Sequence, residues 1–251
     1  QGQFFTPKNV VKMIVNMMDI KTTDKIIDPC CGSGGFLIEA LKNVWQKASD
    51  KYTELGWPDK EIEIEKQKIA IENFRGIDKD DFLSKVSKAQ MAVLGDGRGG
   101  IFCENSLDIP TKWKSKTQDK IELGKFDILI TNPPYGSKIK IDDKDILNEL
   151  ADLMEAYKKK IVLPIDFTID DGYKWSKDKK TGLWEKGKLR DNDTPQNLFI
   201  ERCMDFLKPG GRMALVLPDG IYGNDGLGYL RKFILDNGRV LAVVDLPKET
   251  F

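Results

Sequence analysis

The sequence predicts an α/β fold with a doubly wound, mostly parallel sheet covered by helices on both faces. Short apolar runs typical of buried strands alternate with segments of helical periodicity, which favours parallel strands joined by helices. A glycine-rich turn joins the first predicted strand to a helix, as in folds that bind ligands at the carboxyl ends of the strands. Because 251 residues can bury one large core, we expect a single domain over residues 1–251.

Six short apolar runs are predicted to be strands, and they comprise residues 25–28, 73–77, 100–103, 125–131, 212–217 and 239–246. Apolar residues three and four positions apart predict helices over residues 8–18, 36–45, 81–94, 198–207 and 228–237. Several of these helices lie between predicted strands, as the crossovers of a parallel sheet require.

Two stretches interrupt this alternation. Residues 47–67 are highly charged and form a long spacer between the first two strands. Residues 137–195 are predicted to be an inserted helical and hairpin segment, and the apolar positions of its helical part are Ile146, Leu147, Leu150, Leu153, Met154 and Tyr157. Turn residues at 178–182 indicate a hairpin with Trp175 and Trp184 on paired strands. Its Lys-rich residues 174–190 either face DNA or form a solvated hairpin whose Trp side chains pack on the core.

The charge and residue composition excludes several kinds of site. Lysine plus arginine and aspartate plus glutamate number 40 each, so no overall field would attract a polyanion, and nucleic-acid contacts must come from local patches or partner chains. The chain has no histidine, and none of its four cysteines forms a C-x-x-C pair. Zinc sites and histidine general bases are therefore not expected.

The cellular setting is constrained by the same features. Free thiols suit a reducing cytoplasm, and no long apolar run suggests a membrane span. The chain begins at Gln1 rather than Met and stops at Phe251, directly after a predicted strand. We interpret it as a fragment of a longer protein.

The loop after the predicted strand 125–131 contains Asn132, Pro133, Pro134 and Tyr135. The prolines have a fixed φ and no amide hydrogen, so the loop is stiff. The Asn132 side-chain oxygen and the Pro133 carbonyl could accept both hydrogens of an amine conjugated to a ring, drawing its nitrogen toward tetrahedral geometry. Tyr135 could lie flat on that ring. The pattern indicates a loop that methylates an amine, and the alternative is an ordinary turn after a buried strand.

The glycine-rich turn contains Asp28, Pro29, Gly32 and Gly34 between a strand and a helix. It lacks the Gly-Lys-Ser/Thr of a phosphate-binding P-loop, and a carboxylate at the strand end would repel a pyrophosphate. S-adenosylmethionine carries a sulfonium and an ammonium, so Asp28 suits its ammonium side. Gly32 and Gly34 would let the amino-acid tail lie against the main chain. Cys30 and Cys31 are interpreted as small packing residues of the turn.

Two further strand ends carry polar residues. Asp78 follows the second strand, where an acidic residue commonly accepts from ribose hydroxyls, although it lies about twice the usual twenty or so residues from the glycines. The alternative is that Asp78 caps the helix 81–94. Asn105 follows the third strand, where it could contact the adenine amine of the cofactor or cap a turn.

With these residues in place, the chain resembles the amino-group DNA methyltransferases, most closely the modification subunits of type I restriction-modification systems. The resemblance rests on four ordered stretches, residues 2–7, 28–36, 132–136 and 196–220. It implies a Rossmann-like fold of the S-adenosylmethionine-dependent methyltransferase type. It departs from the family at Asn105, where an acid is common, and in lacking the large flanking helical domains.

The resemblance also implies roles for particular residues. Phe5, Thr6 and Pro7 would line the methionine end of the cofactor, with Asn132 serving both cofactor and catalysis. An adenine would be rotated out of the DNA duplex into the pocket, stacked by Tyr135 and by a second aromatic residue that falls on Phe251. The implied partners are DNA, a specificity subunit and a restriction subunit.

Two other functions stay open. The first is methylation of another conjugated nitrogen, in a protein glutamine amide or an RNA base, since such enzymes share the Asn-Pro-Pro-Tyr loop; residues 3–7 argue against it. The second is a catalytically silent subunit that binds cofactor or serves as a scaffold, against which the intact residues 132–135 argue. No metal is expected, because the sulfonium is already an activated leaving group.

Overall fold

Parallel strands form the centre of the structure, a computed structural model that describes residues 5–95, 100–135, 141, 146–147, 173–177, 179–180, 184–189, 194–247 and 250. The described residues form a five-stranded sheet in the order β3-β2-β1-β4-β7. Its strands are β1 (Ile26–Asp28), β2 (Phe74–Asp78), β3 (Ile101–Cys103), β4 (Phe126–Thr131) and β7 (Leu207–Leu215). All four pairings are parallel. The predicted α/β class with a mostly parallel sheet is confirmed.

The helices are α1 (Lys8–Met17), α2 (Gly35–Glu54), α3 (Asp59–Asn73), α4 (Asp81–Leu94), α5 (Ser115–Gln118), α6 (Pro195–Phe206), α7 (Gly220–Gly223) and α8 (Gly228–Asn237). Four of the five predicted helices have bounds within a few residues of those observed, whereas α2 continues well past the predicted end at residue 45, and α3, α5 and α7 were not predicted. Local signals explain the ends of α4: the Asp80 side chain accepts a hydrogen bond from the Leu83 amide at 2.9 Å, and Gly95 ends the helix with φ of 97°.

Helices cover both faces of the sheet. On β1, Ile26 belongs to one buried cluster and Ile27 to another, because successive strand residues point to opposite faces. Apolar residues of α1 and α2 complete the first cluster. Phe206 of α6 and Trp113 complete the second, with their rings stacked 6.2 Å apart. The doubly wound arrangement is the result.

The charged spacer is helical rather than irregular. Helix α2 continues through it to Glu54, and α3 follows from Asp59. The two helices are joined by the Trp45 Nε1 group, which donates to the Lys66 carbonyl at 2.7 Å, while the Lys66 ammonium lies 5.2 Å from the centre of the Trp45 ring. Helix α3 therefore accounts for the long interval between the glycine turn and Asp78.

The predicted insertion is described only in part. Ile146 and Leu147 are helical and buried, whereas the predicted apolar positions 150, 153, 154 and 157 lie outside the described residues. Strands β5 (Tyr173–Lys177) and β6 (Trp184–Leu189) pair antiparallel, with Lys177 opposite Trp184. The predicted pairing of the two Trp-bearing strands is confirmed.

The predicted strand 239–246 is wrong. Residues 238–247 form neither helix nor strand, and Leu241 and Val243 are 74% and 63% exposed. A cavity of about 1080 Å³ lies between this segment and β7. Alternating apolar residues favour a strand, but a strand also needs a neighbour for its backbone groups. Among the described residues no such pairing forms. The predicted strand 212–217 begins regular pairing at Arg212, but β7 ends at Leu215.

Candidate active site

The predicted site residues follow strands that end at one edge of the sheet. Because β1, β2 and β4 run parallel, Asp28, Asp78 and Thr131 lie at their carboxyl ends. Long-range hydrogen bonds join the segments that follow these strands. Gly32 donates to Asp78 across 46 residues of sequence, and Thr131 donates to Asp28 across 103.

The turn after β1 depends on two glycines with positive φ. Gly32 has φ of 52° and Gly34 has φ of 90°, a region that side chains with a Cβ rarely adopt. A Cβ on Gly34 would lie 2.6 Å from the Ser87 hydroxyl, so helix α4 packs directly against it. A Cβ on Gly32 would meet no atom within 4 Å. The main chain at Gly32 is therefore open to a ligand, and that at Gly34 is closed by the fold.

Asp28 lies beneath the turn rather than on its surface. The residue is 1% exposed, and its Oδ1 accepts from the Thr131 hydroxyl at 2.6 Å and from the Cys30 amide at 3.1 Å. Desolvation raises the pKa of Asp28 to about 7, although both hydrogen bonds favour the charged form. Pro29 is also buried, and its carbonyl accepts from the Ser106 hydroxyl at 2.5 Å.

Asp78 joins the second strand to the glycine turn. Its Oδ2 accepts from the Gly32 amide at 2.8 Å, and its Oδ1 accepts from the Asp80 amide at 2.9 Å. Partial burial raises the pKa of Asp78. Asp80 caps α4, so the alternative that Asp78 is the helix cap is wrong. Asp78 instead lies beside the open main chain of Gly32.

Asn105 makes the contacts of a turn cap. Its Nδ2 donates to Asp108 at 2.8 Å, and its Oδ1 accepts from the Leu107 amide at 3.3 Å. These bonds agree with the capping alternative. A contact with cofactor adenine would use the second lone pair of Oδ1 or the second hydrogen of Nδ2.

In the loop after β4, the described residues form a hydrogen bond with only one end of the Asn132 side-chain amide. Asn132 Nδ2 donates to the Thr6 hydroxyl at 3.0 Å. Asn132 Oδ1 is fully covered and has no hydrogen-bond partner among the described residues. Pro133 is buried and Pro134 exposed. Tyr135 is half-buried, which raises the pKa of its phenol, so the ring is neutral. The arrangement leaves a carbonyl oxygen whose hydrogen-bonding capacity is unused among the described residues.

The segment before α1 lies against this loop. Thr6 and Pro7 are half-buried, while Phe5 is 66% exposed. The Pro7 carbonyl accepts from the Val11 amide at 3.0 Å and so belongs to the first turn of α1. The structure brings Thr6 to Asn132. The predicted second aromatic residue, Phe251, lies outside the described residues.

Thr131 and Ser106 were not predicted from the sequence. Both are buried hydroxyl residues that bond to the glycine turn, Thr131 through Asp28 and Ser106 through Pro29. The available signal was weak: a polar residue follows three apolar ones at the end of β4, directly before Asn132.

The cysteines are packing residues. Burial raises the pKa of Cys30, Cys31 and Cys203 well above the usual thiol value, so these thiols are protonated and poor nucleophiles. In the part of the chain that the structure describes, no group of three or more acidic or thiol side chains could hold a metal ion. Within the same ranges, no helix is both long and apolar enough to cross a membrane.

The fold is shared with solved S-adenosylmethionine-dependent methyltransferases. A parallel sheet with a glycine turn after β1 and a polar loop after β4 is the Rossmann-like fold of S-adenosylmethionine-dependent methyltransferases. A putative class I S-adenosylmethionine-dependent methyltransferase from Listeria monocytogenes shares it, with a TM-score of 0.58 and 18% identity over 98% of this chain and 56% of that chain.

The chain belongs to the N-6 DNA methylase family, whose profile matches residues 1–251. The methylase subunit of the type I restriction enzyme EcoEI from Escherichia coli is 24% identical over 100% of this chain and 39% of that subunit. The modification subunit of a putative type I restriction enzyme from Vibrio vulnificus has a TM-score of 0.55 and 23% identity, over 93% of this chain and 38% of that one. The chain thus spans about two fifths of the length of these two relatives.

Proposed function

We propose that this chain is the catalytic core of an enzyme that transfers a methyl group from S-adenosylmethionine to the N6 amine of an adenine in DNA. Membership of the N-6 DNA methylase family supports the reaction. Similarity to type I methylase subunits supports a role as the modification subunit of a type I restriction-modification complex. The observation that carries the proposal is the Asn132 amide, which has one end bound and the other unpaired.

The unpaired oxygen of Asn132 suits the target amine. A buried acceptor without a partner costs about 1–3 kcal/mol, so such an atom in a native structure needs an explanation. A ligand N–H provides one. When Asn132 Oδ1 and the Pro133 carbonyl accept the two hydrogens of the adenine amine, they favour the tetrahedral nitrogen of the transition state over the flat nitrogen of the free base.

The turn after β1 fits S-adenosylmethionine. The open space at Gly32 lets a ligand approach the main chain, and Asp78, which is bonded to the Gly32 amide, would accept from ribose hydroxyls. Asp28 lies beneath the turn, and its negative charge would favour the ammonium group of the cofactor. The cofactor would supply a methyl group already activated by the sulfonium. The chain would supply alignment, which is the larger part of catalysis for such a transfer.

Other residues complete the proposed cofactor pocket and base pocket. Phe5, Thr6 and Pro7 would line the methionine end of the cofactor, and Pro29, Gly34 and Asn105 would shape the rest. Tyr135 would stack on the target base. An adenine inside a duplex cannot reach this edge of the sheet, so we propose that it is flipped out. Phe251 would form the opposite wall.

The partners follow from the same proposal. DNA is the substrate, and a specificity subunit and a restriction subunit would complete the complex. Relatives of this chain include several type I methylase subunits. The hairpin of β5 and β6 carries Lys177, Lys179 and Lys180, which would neutralise DNA phosphates without reading sequence.

Substitution of Asn132 tests the reaction. In the full-length enzyme with its partner subunits, Asn132→Ala is expected to lower kcat for adenine methylation by about 100- to 1000-fold, because the lost interactions act mainly in the transition state. Transfer of a labelled methyl group to DNA measures the rate. Asn16→Ala, the same change at an exposed position of α1, is the control and should keep the wild-type rate.

Product analysis separates the proposal from its alternatives. Mass spectrometry of digested DNA should find N6-methyladenine. Methylation of RNA or of a protein glutamine instead would show that the substrate assignment is wrong. Cofactor binding by calorimetry without any methyl transfer to DNA would show a silent binding subunit. Unchanged adenine methylation by Asn132→Ala would exclude the proposed role of this loop.

A further inference from the structure

We infer that Thr6 is a positioning residue for Asn132: its hydroxyl holds the Nδ2 end of the amide so that Oδ1 meets the target amine. This inference rests on the proposed function of Asn132. It assigns to Thr6 a task distinct from lining the cofactor.

The geometry is a contact between two distant parts of the chain. Thr6 precedes α1, and Asn132 follows β4, yet the Asn132 Nδ2 group lies 3.0 Å from the Thr6 hydroxyl oxygen. Thr6 is half-buried, and Pro7, whose φ is −56°, begins the helix next to it. The hydroxyl is therefore carried on a restrained segment. A free asparagine amide rotates broadly about its last torsion, and this bond restricts that rotation.

The bond also affects the opposite end of the amide. Donation from Nδ2 polarises the amide, so Oδ1 becomes a stronger acceptor, as in other chains of hydrogen bonds. The two ends of an amide have the same shape but opposite hydrogen-bonding character. With Nδ2 toward Thr6, the end left for a ligand is the acceptor. If the amide turned over, an N–H donor would face the N–H donors of the target amine.

The test replaces the Thr6 hydroxyl by a methyl group. In the full-length enzyme with its partner subunits, Thr6→Val is expected to lower kcat about 10- to 100-fold, the range for a small misplacement of a reacting group. Thr6→Ser keeps the hydroxyl and should recover most of the rate. Thr53→Val, at an exposed position of α2, is the matched control and should keep wild-type kinetics.

Calorimetry with S-adenosylmethionine distinguishes positioning from direct cofactor contact. If Thr6 positions Asn132 in addition to lining the cofactor, the loss of kcat caused by Thr6→Val should vanish in an Asn132→Ala background, whereas any change in the cofactor Kd should be the same in both backgrounds. A loss of cofactor affinity with no loss of kcat would mean that Thr6 only lines the cofactor and would overturn the inference. A wild-type kcat for Thr6→Val would overturn it as well.

The same assays separate failure of this inference from failure of the proposed function. If Asn132→Ala methylates adenine at the wild-type rate, the proposed function fails and the inference fails with it. If Asn132→Ala is inactive while Thr6→Val has wild-type kinetics, the proposed function stands and only the role of Thr6 is rejected.

Discussion

The turn after β1 and the loop after β4 lie at the same edge of the sheet, yet their polar groups are satisfied to different degrees. In the turn, the Asp28 carboxylate accepts two hydrogen bonds, and the Gly32 amide donates to Asp78. In the loop, one end of the Asn132 amide is bound by Thr6 and the other has no partner among the described residues.

This difference in hydrogen bonding suits the turn and the loop to two different tasks. A turn with internal hydrogen bonds keeps one shape, so it can present a fixed main-chain surface to a ligand without reorganising. A loop with an unpaired acceptor keeps capacity for a bond that forms only when a donor arrives. The proposed cofactor-binding surface and the proposed reacting surface thus follow adjacent strands and differ in how far their hydrogen-bonding groups are satisfied.

The largest expected effect on stability is at Gly34, where the turn packs against helix α4. Gly34→Ala should lower the free energy of unfolding by about 3 kcal/mol, because it combines a left-handed φ with a contact on the Ser87 side chain. Gly32→Ala has the φ penalty but no contact, and should cost about 1 kcal/mol. Urea unfolding measures both.

The same pair of variants tests which glycine faces the cofactor. Gly32→Ala places its methyl group in open space, so it should weaken S-adenosylmethionine binding more than its small effect on stability suggests. Equal losses of stability for the two variants would mean that the turn does not distinguish a closed side from an open one.

Removal of the Thr131 to Asp28 hydrogen bond, which joins the turn to the loop, is expected to have an intermediate effect on stability. Thr131→Val removes the hydroxyl that donates to the buried Asp28 carboxylate, and should cost about 2 kcal/mol in unfolding free energy. It should also raise the pKa of Asp28 further, since one group that favours the charged form is lost. Thr131→Ser keeps the donor and is the control; if it destabilises the protein more than Thr131→Val, packing rather than the hydrogen bond dominates.

A change in the slope of stability with pH is the most gradual of the expected effects. The pKa of Asp28 is raised by burial to about 7 from 3.8, so between pH 4 and pH 7 the folded state binds more protons than the unfolded state. Its contribution to stability is then present below pH 4 and is lost as the pH rises to 7. One such group contributes at most about 1.4 kcal/mol per pH unit.

Asp28→Asn should remove this contribution and make stability fall less steeply over that range. Asp205 provides an internal reference, because burial raises its pKa to about 7 as well, opposed by Arg202, and its contribution has the same sign. Thermal unfolding at half-unit pH steps should therefore show a reduced slope rather than a flat profile. An unchanged slope would place the Asp28 pKa near its ordinary value.

Local patterns were sufficient for most of the fold. Helices 81–94 and 228–237 have the predicted bounds, because apolar spacing, and for the first of them the caps Asp80 and Gly95, are encoded within a few residues of each end. The strand predicted at 239–246 had the same quality of local pattern, but residues 238–247 remain unpaired among the described residues. Strand formation depends on a neighbour, and a neighbour is not a local property.

For the candidate site too, local features were predictable from the sequence and contacts between distant residues were not. Asn132, Gly32 and Asp78 were predicted because loop stiffness, glycine freedom and an acid at a strand end are visible in the sequence. Their mutual contacts were not. The Asp78 to Gly32 bond, the Thr131 to Asp28 bond and the Thr6 to Asn132 bond all join residues far apart in the chain.

By itself, the sequence determined the parallel α/β class, the stiff Asn-Pro-Pro-Tyr loop and the glycine turn, since periodicity, proline geometry and glycine freedom are properties of short segments. Only the tertiary structure decided which polar atoms were satisfied. Burial set the pKa of Asp28, and parallel packing brought the ends of β1, β2 and β4 together. That packing bound one end of Asn132 to Thr6 and left the other end unpaired, because hydrogen-bond saturation depends on neighbours that sequence distance does not reveal.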